Sequence, residues 1–202
     1  MMHPLDALNF VALPGWCYVL FAVVTTPRED LFSPALQKVL LGLEGICVLE
    51  VARLMVTGKG NIILGVCLHV TRIFVLLKIL TQGELTEFWA GFLVLLSWGV
   101  TEVARYPTYI LKSSKACEIM RCTVPVLTFP LGAGAEAWAA WSVAKNEGCF
   151  GQTPTFQCVI LFGILFQNVV LGVVLAYPAI LHKARKSLKG PKEGKKANKK
   201  DT

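Results

Sequence analysis

The sequence predicts an all-α membrane protein, a bundle of about six transmembrane helices followed by a disordered basic C-terminal tail. Three observations predict it. Of 202 residues, 54% are hydrophobic and only 16% charged, whereas an ordinary soluble domain carries roughly 25% charged residues. The apolar residues gather in six stretches, each near the ~20 residues that cross a bilayer. Nine of the 20 Lys and Arg residues fall in residues 183–200, beyond the last stretch.

The six spans are expected at residues 8–24, 36–56, 62–80, 88–111, 119–143 and 156–181. The first is interrupted by Pro14-Gly15 and closes at a turn around Thr25 and Pro27. A tight loop around Lys59 separates the second from the third, and an acidic loop with Glu84 and Glu87 precedes the fourth. Lys112 and Lys115 flank the entry to the fifth, and residues 145–151 connect it to the sixth. An even number of spans puts both termini on one side of the membrane. Because cytosolic loops are rich in Lys and Arg, the tail and the Lys59 and Lys112/Lys115 loops are expected in the cytosol, with Glu84 and Glu87 opposite. The division is then a transmembrane domain at 1–182 and a basic cytosolic tail at 183–202.

The net charge of +7 resides in that tail, so the expected partner is the lipid bilayer and not nucleic acid. The first ten residues lack a basic stretch ahead of the apolar run, so a cleaved signal peptide is not expected. The final Lys199-Lys200-Asp201-Thr202 resembles the dilysine retrieval signal of endoplasmic reticulum membrane proteins. The expected location is therefore the endoplasmic reticulum membrane, multi-pass, with both termini cytosolic. The seven cysteines are mostly scattered through apolar segments, where they read as small buried hydrophobes. No metal and no cofactor are expected.

Ionisable residues inside a bilayer cost about 2.5–3.5 kcal/mol each on insertion scales, so they need partners. Glu50 and Arg53, His69 and Arg72, and Glu102 and Arg105 each stand three apart, on one helical face. Thr101, Glu102, Arg105, Tyr106 and Tyr109 form a polar stripe on the fourth span. The stripe lines a shared cavity, or it consists of structural ion pairs that fix helix packing. The fifth span combines Pro125, Pro130, Gly132 and Gly134 with Glu136, a composition that lets backbones approach closely. Glu136 lies roughly 22 Å along the helix from Arg121, well inside the apolar region, and is a candidate general acid or base.

Several segments resemble the 3-hydroxyacyl-CoA dehydratase family of fatty-acid elongation, long labelled protein tyrosine phosphatase-like. Asn9 with Gly15-Trp16, Leu49-Glu50-Val51 and His69-Val70-Thr71-Arg72 are similar to its first, second and third conserved stretches. The most specific likeness is Ser97-Trp98-Gly99-Val100-Thr101-Glu102-Val103-Ala104-Arg105-Tyr106, which resembles the family's Ser-Trp-x-x-Thr-Glu-x-x-Arg-Tyr. The family's Tyr-Pro-x-Gly-x-x-x-Glu, whose Tyr and Glu are its proposed catalytic pair, reads here Phe129-Pro130-Leu131-Gly132-Ala133-Gly134-Ala135-Glu136. The acid is kept and the phenol is not. Arg53 also stands near the place where the family usually has His.

The resemblance implies removal of water from a long-chain (3R)-3-hydroxyacyl-CoA to give the trans-2-enoyl-CoA, the third step of the elongation cycle. It implies Glu136 as catalytic residue; with the family's tyrosine replaced, the second proton site is Tyr106 or Tyr109 on the polar stripe, Glu136 acting twice, or none. Arg72, Glu102, Arg105, Lys112, Lys115 and Arg121 are the expected substrate-binding residues, with Arg105, Lys112, Lys115 and Arg121 meeting the CoA phosphates. Other elongation enzymes are the expected protein partners. A non-catalytic scaffold or regulator of the elongation complex is the alternative that Phe129 raises. A small transporter or channel is a third.

Overall fold

The structure, a computed structural model, describes residues 4–27, 30–57, 62–80, 87–111, 113–151 and 155–189. These residues form six helices and no strand. They are α1 (Pro4–Thr25), α2 (Pro34–Thr57), α3 (Ile62–Phe74), α4 (Phe88–Ile110), α5 (Lys115–Asn146) and α6 (Phe156–Leu188). All six expected segments are helical. The Lys59 loop, Glu84, Lys112 and everything beyond Lys189 lie outside the described residues.

Three boundaries differ from expectation. Pro14 does not break α1, which runs unbroken through it. Prolines 125 and 130 likewise sit inside a continuous α5 of 32 residues, long enough at ~1.5 Å per residue to exceed a bilayer's hydrocarbon core. The sixth helix carries on to Leu188, so residues 183–188 of the expected disordered tail are helical.

Two helices change gauge. A π-helical turn, Val75–Ile79, extends α3, and the middle of α6 is π-helical over Phe166–Ala176 before α-helix resumes at Tyr177. In the π form each N–H bonds the carbonyl five residues back; Leu80 N–H reaches Val75 O, and Tyr177 N–H reaches Gly172 O.

The core centres on α4, which packs against α1 on one side and α5 on another, with α6 against α5 and α2 against α1 and α3. Trp16, Val19, Leu40, Leu76, Ile79, Val94, Leu95 and Leu161 are almost fully buried there. The segments Ala7–Thr25 and Phe156–Leu188 are long and apolar enough to cross a membrane, and Phe21, Val24, Val169, Val173 and Val174 point outward from them. The other four helices carry the charged residues described below.

The end of α5 is a sharp reversal. Gly148 has φ 71°, a conformation that a side chain resists, and Cys149 N–H bonds Ala144 O while Gly148 N–H bonds Lys145 O. That is the double bond of a glycine-terminated helix. The next residue, Cys149, forms a disulfide with Cys158 in the first turn of α6. Two of the seven cysteines therefore cross-link the α5–α6 connection instead of filling apolar space.

Candidate active site

Glu136 is placed by a close approach of two helices. A Cβ at Gly132, one turn earlier on α5, would lie 3.0 Å from Ser97 Cβ on α4, so glycine lets the two backbones come together. One turn on, Glu136 meets the residue beside Ser97. Trp98 Nε1–H donates to Glu136 Oε1 at 2.7 Å, and Asn168 Nδ2–H from the π-helical stretch of α6 donates to Oε2 at 3.0 Å. The residue is 5% exposed.

Both donors are neutral, and no ion pair reaches Glu136 among the described residues. The nearest cationic element sits one residue removed: the Arg72 guanidinium lies 4.9 Å from the Trp98 ring centroid. A carboxyl group held in place by two N–H groups, with no cation bound to it, remains available to accept or return a proton.

The other ionisable residues within the bundle form a separate network between α2, α3 and α4. Glu44 accepts from His69 Nδ1 at 2.7 Å and from Arg72 Nη1 at 3.2 Å. The same Arg72 nitrogen donates to Glu102 Oε1 at 2.8 Å. Arg105 pairs through Nε with Glu102 Oε2 at 2.8 Å and through Nη2 with Glu50 Oε2 at 3.1 Å. It also donates to the Tyr106 hydroxyl at 3.0 Å. Every acid in this group touches a cation.

The polar stripe expected on α4 therefore divides. Thr101 turns to α5, where its hydroxyl meets Thr128 at 2.7 Å, while Glu102, Arg105 and Tyr106 turn to α2 and α3. Tyr106 is fully buried, with Cys47 Sγ 3.4 Å from its hydroxyl. Tyr109 lies between two guanidinium groups, Arg121 at 5.2 Å and Arg105 at 5.9 Å from its ring. Lys115 is exposed and bridges to Glu118 at 3.0 Å. Of the expected substrate-binding cations, Arg72 and Arg105 are thus committed to carboxylates, and Lys115 and Arg121 stand near the α4–α5 connection. Phe129 stacks on Tyr177 of α6, with ring centroids 6.4 Å apart and planes 12° from parallel.

Residues 45–190 match the family model of the protein tyrosine phosphatase-like protein, PTPLA. The chain belongs to that family, the 3-hydroxyacyl-CoA dehydratases. Nothing among curated proteins or solved structures matches this chain. The PTPLA match contains Glu136 and its two donors, Phe129 and the ion network except Glu44, which stands one residue before it; Asn9 and Gly15-Trp16 also precede it.

The phosphatase half of the family label has one echo here. Cys47 and Arg53 have the Cys-x5-Arg spacing of a phosphate-binding loop, but both lie within the continuous α2. Six residues is about one and two-thirds helical turns, which points them to different faces, and Cys47 is fully buried against Tyr106. A phosphate could not be cradled there.

Glu44, Asn168 and the indole role of Trp98 are not evident from spacing along one helix. A signal existed for two of them: Glu44 is an acid in an apolar run, and Asn168 with Gln167 is the only amide pair in the sixth segment. Glu44, Cys47 and His69 also bring potential metal-ligand atoms within 4.8 Å of one another. Arg72 already occupies Glu44, so this cluster is built as a salt-bridged unit.

Proposed function

We propose that this PTPLA-family chain is a membrane-embedded dehydratase that converts long-chain (3R)-3-hydroxyacyl-CoA into trans-2-enoyl-CoA. The observation that carries the reading is Glu136: an acid deep in the helix bundle, fixed by Trp98 and Asn168 and with no ion pair among the described residues. Dehydration needs a base for the proton beside the thioester carbonyl and an acid for the departing hydroxyl. Glu136 suits the first task. The acyl chain would lie among the apolar helices, and the CoA phosphates near Lys115 and Arg121, with Lys112 between α4 and α5 adding charge.

On this reading all six helices cross the membrane of the endoplasmic reticulum, and both termini are cytosolic. The disulfide supports that orientation. Six crossings put the Cys149–Cys158 cross-link on the side opposite the basic loops, the oxidising lumen, where disulfides persist. Cys117 and Cys122, near the other end of α5, are free thiols.

The deciding experiment is conversion of a long-chain 3-hydroxyacyl-CoA by the purified, detergent-solubilised protein beside its Glu136→Gln variant. Turnover that vanishes in the variant is expected. Equal turnover by both removes Glu136 from the chemistry. A folded wild-type protein without turnover would favour the second reading, a scaffold or regulatory subunit beside other elongation enzymes, which Phe129 supports by lacking a hydroxyl.

A further inference from the structure

The geometry points to Tyr177 as the catalytic phenol of this chain, supplied from α6 to a site where α5 presents only Phe129. The inference rests on the dehydratase reading above. It begins with an imbalance: Glu136 is one proton-transfer group, and the reaction makes two proton transfers. The two tyrosines on α4 stand in other surroundings. Tyr106 is sealed in the ion network with Arg105 and Cys47 on its oxygen, and Tyr109 is flanked by Arg105 and Arg121. Thr101 and Thr128 bond each other.

Tyr177 is differently placed. It is half-buried, lies almost coplanar over Phe129, and its hydroxyl has no hydrogen-bond partner among the described residues. Phe129 and Glu136 are seven residues apart on α5, close to two full turns, so they share a face with a rise of about 10 Å between them. Tyr177 and Asn168 bracket that face from α6, one at the level of Phe129 and the other bonded to Glu136.

The π-helical stretch makes this possible. Nine residues of α-helix amount to two and a half turns at ~3.6 residues per turn, which would send Tyr177 to the side opposite Asn168. Bonds to the fifth residue back widen the turn to roughly 4.4 residues, and nine residues then make two turns. Asn168, Gly172 and Tyr177 all face α5 as a result. Gly172 faces the Phe129 ring tip, 3.5 Å from where a Cβ would stand, an ordinary contact distance.

With a hydroxyacyl thioester between them, the Glu136 carboxylate takes the proton from C2, and that electron pair becomes the C2=C3 bond. The C3–O bond breaks, and the Tyr177 hydroxyl gives its proton to the departing oxygen, releasing water. After the product leaves, Glu136 gives its proton to water in the emptied site and the phenolate takes one back from that water, so both groups return to their starting states. Two hydrogen bonds of about 3 Å each, plus the short C2–C3 unit, are of the same order as the ~10 Å rise between the Phe129 and Glu136 levels of α5.

The test uses the full-length, detergent-solubilised protein and a long-chain 3-hydroxyacyl-CoA. Tyr177→Phe keeps the ring stack, so the expected result is an unchanged Tm, a nearly unchanged KM and a kcat lower by about 10²–10³-fold. Adding Phe129→Tyr to that variant should restore kcat to within about 10-fold of wild type, because it returns a phenol to the same face. Wild-type kcat in Tyr177→Phe overturns the assignment and leaves the dehydratase reading intact. A kcat loss accompanied by a fallen Tm and not rescued by Phe129→Tyr also overturns it, as a packing role. Absence of turnover in the wild type and in Phe129→Tyr alike overturns both readings together.

Discussion

The protein holds two buried acidic sites within one bundle, and they are built on opposite terms. Between α2, α3 and α4, Glu44, Glu50 and Glu102 are met by His69, Arg72 and Arg105 at 2.7–3.2 Å. Between α4, α5 and α6, Glu136 is met by an indole and an amide. In the first site charge is consumed in holding helices together. In the second, the acid is oriented by neutral donors and makes no ion pair among the described residues, which suits a group that must exchange protons. Trp98 touches both, through its N–H to Glu136 and through its ring to Arg72.

The sharpest way to break the comparison is Glu136→Gln. Glutamine preserves shape and one acceptor oxygen, so dehydration is expected to fall by at least about 10³-fold, with Tm moving little. A large drop in Tm would place Glu136 with the structural acids instead. The converse is expected of Arg72→Met, which strands Glu44 and Glu102. Breaking a buried pair by removing one partner costs about 3–5 kcal/mol, to be read as a loss of stability in detergent unfolding.

Next in size is the disulfide. Cys149→Ser should lower stability by about 2–3 kcal/mol for a loop of this length, while kcat of the remaining folded protein stays within about 2-fold. A kcat loss as large as that of Glu136→Gln would show that the α5–α6 loop reaches the chemistry. The smallest effect is expected at the bridge: Trp98→Phe removes one hydrogen bond to the carboxyl group, worth about 1.5–3 kcal/mol, and should reduce kcat by roughly 10-fold. An unaltered kcat would mean that Asn168 alone positions Glu136.

Much of this was legible in the residues. Six apolar stretches separated by charged or glycine-containing loops became six helices, five of them within a few residues of their expected limits, because helix length and apolar composition are local properties. Glu102 with Arg105 was readable from spacing, as was Glu136 as an isolated acid beyond Pro130 and Gly132. The partners were not. Spacing matched Glu50 to Arg53 and His69 to Arg72, yet Glu50 meets Arg105, 55 positions away, and His69 meets Glu44, 25 positions away.

The sequence by itself determined the helices, the family motif on α4, the retained acid at 136 and the missing phenol at 129, since each depends only on neighbours along the chain. The tertiary structure alone decided that Glu136 is held by residues 38 and 32 positions away and that the α4 stripe faces two ways. It alone also brought Tyr177 over Phe129. That last contact follows from the π-helical turns of α6, which rotate every later residue relative to an ideal α-helix. A periodicity of 3.6 cannot foresee them, because packing against α5 selects the wider turn.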